Sequence, residues 1–153
     1  MDEISELYEE IILDHNRNPR YFDRVPDTAN HSAHGDNPLC GDQYSVYLNI
    51  ANNRIEDVGF KGAGCAISKA SASLMLEAVK GKSIEEAETL IENMHDLLTG
   101  EAHHHHDEEV DVGKLDALGG VREFPMRVKC ATLAWHILNA AIHNEETAVS
   151  TEK

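Results

Sequence analysis

The residues best suited to chemistry in this chain are three cysteines and the aspartate that follows the first of them. Cys40 and Asp42 lie within the stretch Asn-Pro-Leu-Cys-Gly-Asp at 37–42. Pro38 holds the residue before it in an extended conformation, and Gly41 permits conformations that a side chain would resist. In extended chain, side chains two residues apart point to the same side. A soft thiolate and a hard carboxylate are therefore expected to reach one point, which indicates a metal site.

The other two cysteines, Cys65 and Cys130, lie far away in the sequence. Each falls at or near the start of a predicted helix, where the helix dipole stabilises a thiolate. Three thiolates and one carboxylate make up the four ligands of a tetrahedral zinc site. The chain has no Cys-x-x-Cys pair, however, so spacing alone leaves open that Cys65 and Cys130 are small core residues.

A small sheet and several helices are expected to position these residues. Alternating apolar residues predict antiparallel strands at 43–50 and 54–61 around a tight Asn52–Asn53 turn. The apolar residues of the second strand slip in phase between Ile55 and Val58, which predicts a bulge. Apolar residues at helical spacing predict helices at 3–16, 66–80, 84–99 and from Pro125 to about 143, with a short helical turn at 115–118. Ser83 and Glu86 have the spacing of a capping box, which predicts the start of the third helix. Residues 17–37 show little periodicity and are predicted to be loop, with room for one short edge strand.

This order of elements predicts an α+β fold, in which a small antiparallel sheet packs against several helices and the metal site lies at one exposed end. A length of 153 residues favours a single domain over 1–153. Within it, the polar residues 100–113 are expected to form an exposed loop insertion, and residues 144–153 a frayed tail. Four consecutive histidines, His103–His106, could bind a metal loosely, but the pattern is more typical of a solvated loop.

Charge and hydropathy exclude several classes of partner. Twenty-eight acidic residues against thirteen basic ones give a formal net charge of −15, which argues against nucleic acid and against an anionic membrane surface. No apolar run is long enough to span a bilayer, and the acidic N-terminus does not resemble a signal peptide. We therefore expect a cytoplasmic protein, in which separated thiols are more often metal ligands, reactive groups or core residues than disulfides.

Three stretches of the chain resemble a known family. They are the stretch at 37–42, Gly-Ala-Gly-Cys-Ala-Ile-Ser-Lys-Ala-Ser-Ala-Ser at 62–73, and Phe-Pro-Met-Arg-Val-Lys-Cys-Ala-Thr-Leu-Ala-Trp at 124–135. Together with Asp-His-Asn-Arg-Asn-Pro-Arg at 14–20, they resemble the U-type iron–sulfur cluster assembly proteins, which include the IscU, NifU and SufU types. The scaffold-type IscU proteins have a histidine directly before the third cysteine, where this chain has Lys129. With its extra residues before the last helix, the chain looks like the SufU type.

The resemblance implies a zinc ion held by Cys40, Asp42, Cys65 and Cys130. It also implies that Cys40 is the catalytic residue, which accepts sulfur from the persulfide of a PLP-dependent, SufS-like cysteine desulfurase and passes it on to the downstream cluster assembly machinery. Two alternatives stay open. The same ligands could hold iron or a transient [2Fe–2S] cluster on a scaffold, or zinc could only brace a protein that activates the desulfurase by binding it.

Overall fold

The computed structural model describes residues 3–38, 41–99, 115, 117–118, 125–143 and 149–150. Within these ranges it contains helices α1 (Glu3–Arg17), α2 (Ala66–Val79), α3 (Ile84–Thr99) and α4 (Pro125–Ile142), and strands β1 (His31–Asn37), β2 (Asp42–Ala51), β3 (Arg54–Ala63) and β4 (Val149–Ser150). The strand order is β3-β2-β1-β4. Strands β1, β2 and β3 pair antiparallel, and the two-residue β4 joins β1 in parallel. The predicted α+β fold is confirmed.

The β2–β3 hairpin follows the predicted pattern closely. Alternate residues of β2 are buried, and the turn residues Asn52 and Asn53 have φ values of 55° and 64°. Asparagine tolerates this left-handed conformation, which matches the twist of the two strands. Asn49 pairs with Asp57 and Ile50 with Ile55, so one extra residue, Glu56, forms the predicted bulge.

Strand β1 is the main departure from the predicted elements. The sequence predicts loop at residues 17–37, with room for one short edge strand, but His31–Asn37 forms seven residues of strand between β2 and β4. Buried and exposed residues alternate along β1, since Ala33, Gly35 and Asn37 are buried and the residues between them are exposed. Because these inward residues are small or polar, hydropathy gives no signal for the strand.

Helix α4 is the central element of the core, and it packs against α2, α3, β1 and β2. Helix α3 begins at the predicted capping box, in which the Ser83 N–H donates to Glu86 Oε1 at 2.9 Å and the Glu86 N–H donates to Ser83 Oγ at 3.1 Å. Helix α1 packs on α2, and its buried His15 places Nδ1 2.7 Å from Ser73 Oγ.

Several predictions concern residues outside the described ranges. The loop insertion 100–113, including His103–His106, lies wholly outside them. Of the predicted frayed tail, the structure describes Val149 and Ser150, which form β4. Leu115, Ala117 and Leu118 are buried at the predicted short helical turn. No helix among the described residues combines the length and hydropathy that crossing a bilayer requires.

Candidate metal centre

Three of the four predicted metal ligands come together where the sheet meets the starts of two helices. Asp42 is the first residue of β2, Cys65 lies between β3 and α2, and Cys130 lies in the second turn of α4. Their ligand atoms all lie within 4.8 Å of one another. Around a tetrahedral zinc ion, bond lengths of about 2.1–2.3 Å separate ligand atoms by roughly 3.6–3.8 Å. A contraction of about 1 Å or less would therefore bring these atoms to bonding geometry.

Asp42 is held in place by its own hydrogen bond. The side chain is buried, and Oδ1 accepts the backbone N–H of Cys65 at 2.9 Å. The second oxygen, Oδ2, lies 4.0 Å from Cys65 Sγ. One carboxylate oxygen thus fixes the chain at the start of α2, and the other faces the thiol.

Cys65 is the N-cap of α2, and its Sγ accepts the backbone N–H of Ser68 at 3.5 Å. Amide N–H groups at a helix start stabilise negative charge, so this position suits a thiolate. Cys65 is exposed, whereas Cys130 is buried. The cluster therefore reaches from the core to the solvent boundary, as expected for a site at one end of the fold.

Asn37 connects β1 to Cys130. This residue is fully buried, and its Nδ2 lies 3.8 Å from Cys130 Sγ, within reach of a weak N–H···S hydrogen bond. Asn37 also pairs with Asp42 across the β1–β2 ladder. It therefore lies between two of the three candidate ligands.

The cluster packs closely against Tyr44, Gly64 and Ser68, whose contacts were not predicted from the sequence. The buried Tyr44 hydroxyl lies 3.0 Å from Ser68 Oγ. Burial raises the pKa of Tyr44 to about 12. The Ser68 hydrogen bond opposes this rise, and the negative charges of the Asp42 carboxylate and of the Cys65 and Cys130 thiolates add to it. A Cβ at Gly64 would lie 2.5 Å from the Tyr44 hydroxyl and 2.6 Å from Asp42 Oδ1. The signal was present in the alternation of β2, which puts Tyr44 on the same face as Asp42.

Cys40 lies outside the described residues, and its role as a ligand stays a prediction. The residue after it is described: Gly41 has a positive φ of 76°, as its place in this stretch leads us to expect, and its N–H donates to the Asn37 carbonyl at 2.8 Å. Among the described histidines, cysteines and acidic residues, no other residue joins the cluster of Asp42, Cys65 and Cys130.

The donor set fits a borderline-soft transition metal. Two sulfurs and one carboxylate oxygen suit zinc or iron, whereas magnesium and calcium prefer oxygen ligands alone. Three donors from this part of the chain leave one tetrahedral position, which the fourth predicted ligand would fill.

Comparison with known proteins finds one matching family and several similar proteins. Residues 7–131 match the family described as NifU-like N terminal domain. The zinc-dependent sulfurtransferase SufU of Bacillus subtilis is 39% identical over 140 residues, covering 92% of this chain and 92% of that protein. The iron–sulfur cluster assembly scaffold protein IscU of Streptococcus pyogenes is 34% identical over 148 residues, covering 97% and 90%. The crystal structure of a putative assembly scaffold protein for the SUF system from Fervidobacterium islandicum superposes with a TM-score of 0.78 at 32% identity, covering 90% of this chain and 97% of that one.

Proposed function

Because this chain belongs to the family of NifU-like N-terminal domains, we propose that it serves iron–sulfur cluster assembly as a zinc-dependent sulfur acceptor. One observation supports this most strongly. Two thiols and a carboxylate from three separate parts of the chain approach within 4.8 Å of one another, and the carboxylate, Asp42, is two residues from Cys40 in the sequence. The B. subtilis relative named a zinc-dependent sulfurtransferase supports the same function.

In this proposal the zinc ligands are Cys40, Asp42, Cys65 and Cys130. Zinc bound there supplies the positive charge that keeps the cysteines ionised at neutral pH. The chain contributes the rest. It aims Asp42 through the Cys65 N–H, stabilises the Cys65 thiolate at a helix start, and shields Cys130 in the core.

Cys40 is the proposed sulfur acceptor because its place in the chain differs from that of the other two cysteines. Cys65 and Cys130 are fixed at or inside helices. Cys40 stands between Pro38 and Gly41 in the connection from β1 to β2. It is two residues from Asp42, so chain connectivity keeps the two α-carbons within about 7.6 Å.

The proposed reaction is a thiol–persulfide exchange with no net oxidation or reduction. The Cys40 thiolate attacks the terminal sulfur of the persulfide on a PLP-dependent cysteine desulfurase. A new S–S bond forms at Cys40 while the S–S bond of the desulfurase breaks. The terminal sulfur keeps its proton, and the desulfurase cysteine leaves as a thiolate.

A second candidate function is a scaffold on which a [2Fe–2S] cluster assembles on the same ligands. The relatives named scaffold proteins favour it. Lys129, which stands where the scaffold type has a histidine, favours the sulfur acceptor.

Mass spectrometry after incubation with a cysteine desulfurase and cysteine tests the proposal. We expect one added sulfur on Cys40 of the zinc-loaded protein, and none after Cys40→Ser, whereas this variant still binds the desulfurase. Binding of Cys40→Ser to the desulfurase is measured in parallel. It distinguishes loss of the sulfur acceptor from loss of the complex with the desulfurase.

The other outcomes favour the alternatives. A coloured, iron-containing product without a Cys40 persulfide supports the scaffold. Sulfur acceptance retained by Cys40→Ser contradicts the role of Cys40, and zinc binding with no sulfur adduct supports a protein that is only braced by zinc.

A further inference from the structure

The two polar atoms of the Asn37 side chain have different surroundings. Nδ2 lies 3.8 Å from Cys130 Sγ, while the buried Oδ1 has no hydrogen-bond partner among the described residues. A buried carbonyl oxygen without a partner costs about 1–3 kcal/mol. A leucine has a similar shape and would avoid this cost. The presence of an amide at position 37 is therefore explained by its N–H group, which faces the sulfur of Cys130.

Asn37 is also fixed more firmly than its place at the end of a strand would suggest. Its backbone pairs with Asp42, and its carbonyl accepts the Gly41 N–H at 2.8 Å. The backbone of Asn37 is therefore fixed, and its fully buried side chain extends from β1 to Cys130 on α4. A rigid donor of this kind orients the group it contacts and tunes its charge.

The two described thiols share one feature, since each faces an N–H donor. The backbone N–H of Ser68 donates to Cys65 Sγ at 3.5 Å, and the amide of Asn37 lies 3.8 Å from Cys130 Sγ. An N–H donor withdraws electron density from a thiolate and makes it a weaker nucleophile. A thiolate with such a donor is better suited to staying on a metal than to attacking a persulfide.

From these observations we propose that Asn37 is a positioning residue of the metal centre, whose amide N–H donates to the Cys130 thiolate and keeps Cys130 as a permanent, unreactive ligand. This inference rests on the proposed metal site and deepens it. It assigns the low reactivity of Cys130 to a side chain that is not itself a ligand. Loss of the amide weakens metal retention without removing a donor atom.

The test is Asn37→Leu, which keeps the approximate shape of the side chain and removes both polar atoms. We expect the zinc dissociation constant, measured by chelator competition, to rise about 10–100-fold, as for other groups that orient metal ligands. In the Co²⁺-loaded variant, the sulfur-to-cobalt charge-transfer band shifts to longer wavelength, because a thiolate without the hydrogen bond gives up an electron more easily. Neither measurement requires a desulfurase or sulfur transfer.

The stability of the metal-free protein separates positioning from a structural role. If Asn37 served only to hold the fold, Asn37→Leu would lower the stability of the metal-free chain. We expect that stability to stay equal or to rise, because the variant also removes the buried Oδ1, which has no hydrogen-bond partner in the described part of the chain. Thr132→Val is the matched control: Thr132 is a buried polar residue of α4 whose Oγ1 donates to the Lys129 carbonyl. This variant should leave the cobalt band unchanged.

The outcomes separate this inference from the proposed function. Zinc affinity and a cobalt band that match wild type in Asn37→Leu overturn the role of Asn37 alone. Wild-type protein that binds neither metal overturns both proposals. If Asn37→Leu fails to fold, Asn37→Ala is used instead, because it lacks the amide without adding bulk. The zinc affinity and the cobalt band of that variant then test the role of Asn37.

Discussion

Replacing Gly64 with alanine should damage the metal centre without removing a ligand. An added Cβ would lie 2.5 Å from the Tyr44 hydroxyl and 2.6 Å from Asp42 Oδ1, and closer still to Ser68 Oγ, whereas ordinary contacts are 3.4–4 Å. Each neighbour would have to retreat by about 1 Å. Asp42 is buried at the start of β2, so its retreat would break the 2.9 Å hydrogen bond to the Cys65 N–H.

The size of the effect follows from that bond and from the crowding. Overpacking of this kind costs about 1–3 kcal/mol of folding stability. A hydrogen bond to a charged group is worth about 1.5–3 kcal/mol, and its loss at a ligand corresponds to a roughly 10–100-fold weaker zinc affinity. Chelator competition on the folded protein measures the affinity, and urea unfolding of the metal-free protein measures the stability.

Gly81→Ala is the matched control for this prediction. Gly81 has a φ of 87° and no atom within 4 Å of an added Cβ, so alanine there costs about 1–2 kcal/mol of backbone strain without crowding. It lies just beyond the end of α2 opposite to Cys65, about 21 Å away along a 14-residue helix. We expect similar destabilisation and unchanged zinc affinity. Equal affinities for Gly64→Ala and wild type would refute the packing argument.

Three further substitutions test the surrounding structure. Because burial raises the pKa of Tyr44 to about 12, about 3 kcal/mol of stability is fully present below pH 10 and is lost as the pH rises towards 12. Tyr44→Phe should remove this loss in urea unfolding at pH 9 and 11.5, and an unchanged pH dependence would contradict the assignment. Ser83→Ala removes the side-chain acceptor of the Glu86 N–H; we expect a loss of about 1 kcal/mol and a melting temperature about 2–4 °C lower, with zinc affinity unchanged. Ser71→Ala leaves the buried indole N–H of Trp135 without its acceptor at 3.1 Å, which should cost about 1–3 kcal/mol and shift the fluorescence of the chain's single tryptophan.

The sequence predicted those elements whose residues follow one clear local rule. Alternation located β2, the paired asparagines located its turn, and the serine and glutamate of the capping box located the start of α3. The phase slip in β3 located the bulge at Glu56. Each signal lies within a few residues of chain, so no tertiary information was needed.

Features set by tertiary packing were not predictable in the same way. Strand β1 is formed by small and polar residues whose pairing with β2 is visible only in three dimensions. His31 and His34 lay in the predicted loop, yet His31 Nδ1 lies 2.8 Å from the Ala141 carbonyl and His34 Nδ1 lies 2.9 Å from Ser45 Oγ. The environment of Asn37 depends on Cys130, which is 93 residues away.

The same distinction between local sequence signals and tertiary packing applies to the candidate metal ligands. The residue types indicated thiolate and carboxylate donors, and the resemblance to a family supplied the ligand set. Spacing alone could not bring Cys65 and Cys130 to Asp42, because that proximity depends on how α2 and α4 pack against each other and on how α4 packs against the sheet.

The most direct test of the central claim is X-ray absorption spectroscopy at the zinc edge of the purified full chain. We expect one zinc per chain, with three sulfur ligands at about 2.3 Å and one oxygen at about 2.0–2.2 Å. Cys40→Ser should lower the sulfur count by one, and replacement of His103–His106 should leave the spectrum unchanged. A zinc site dominated by nitrogen, or one unaffected by Cys40→Ser, would contradict the account.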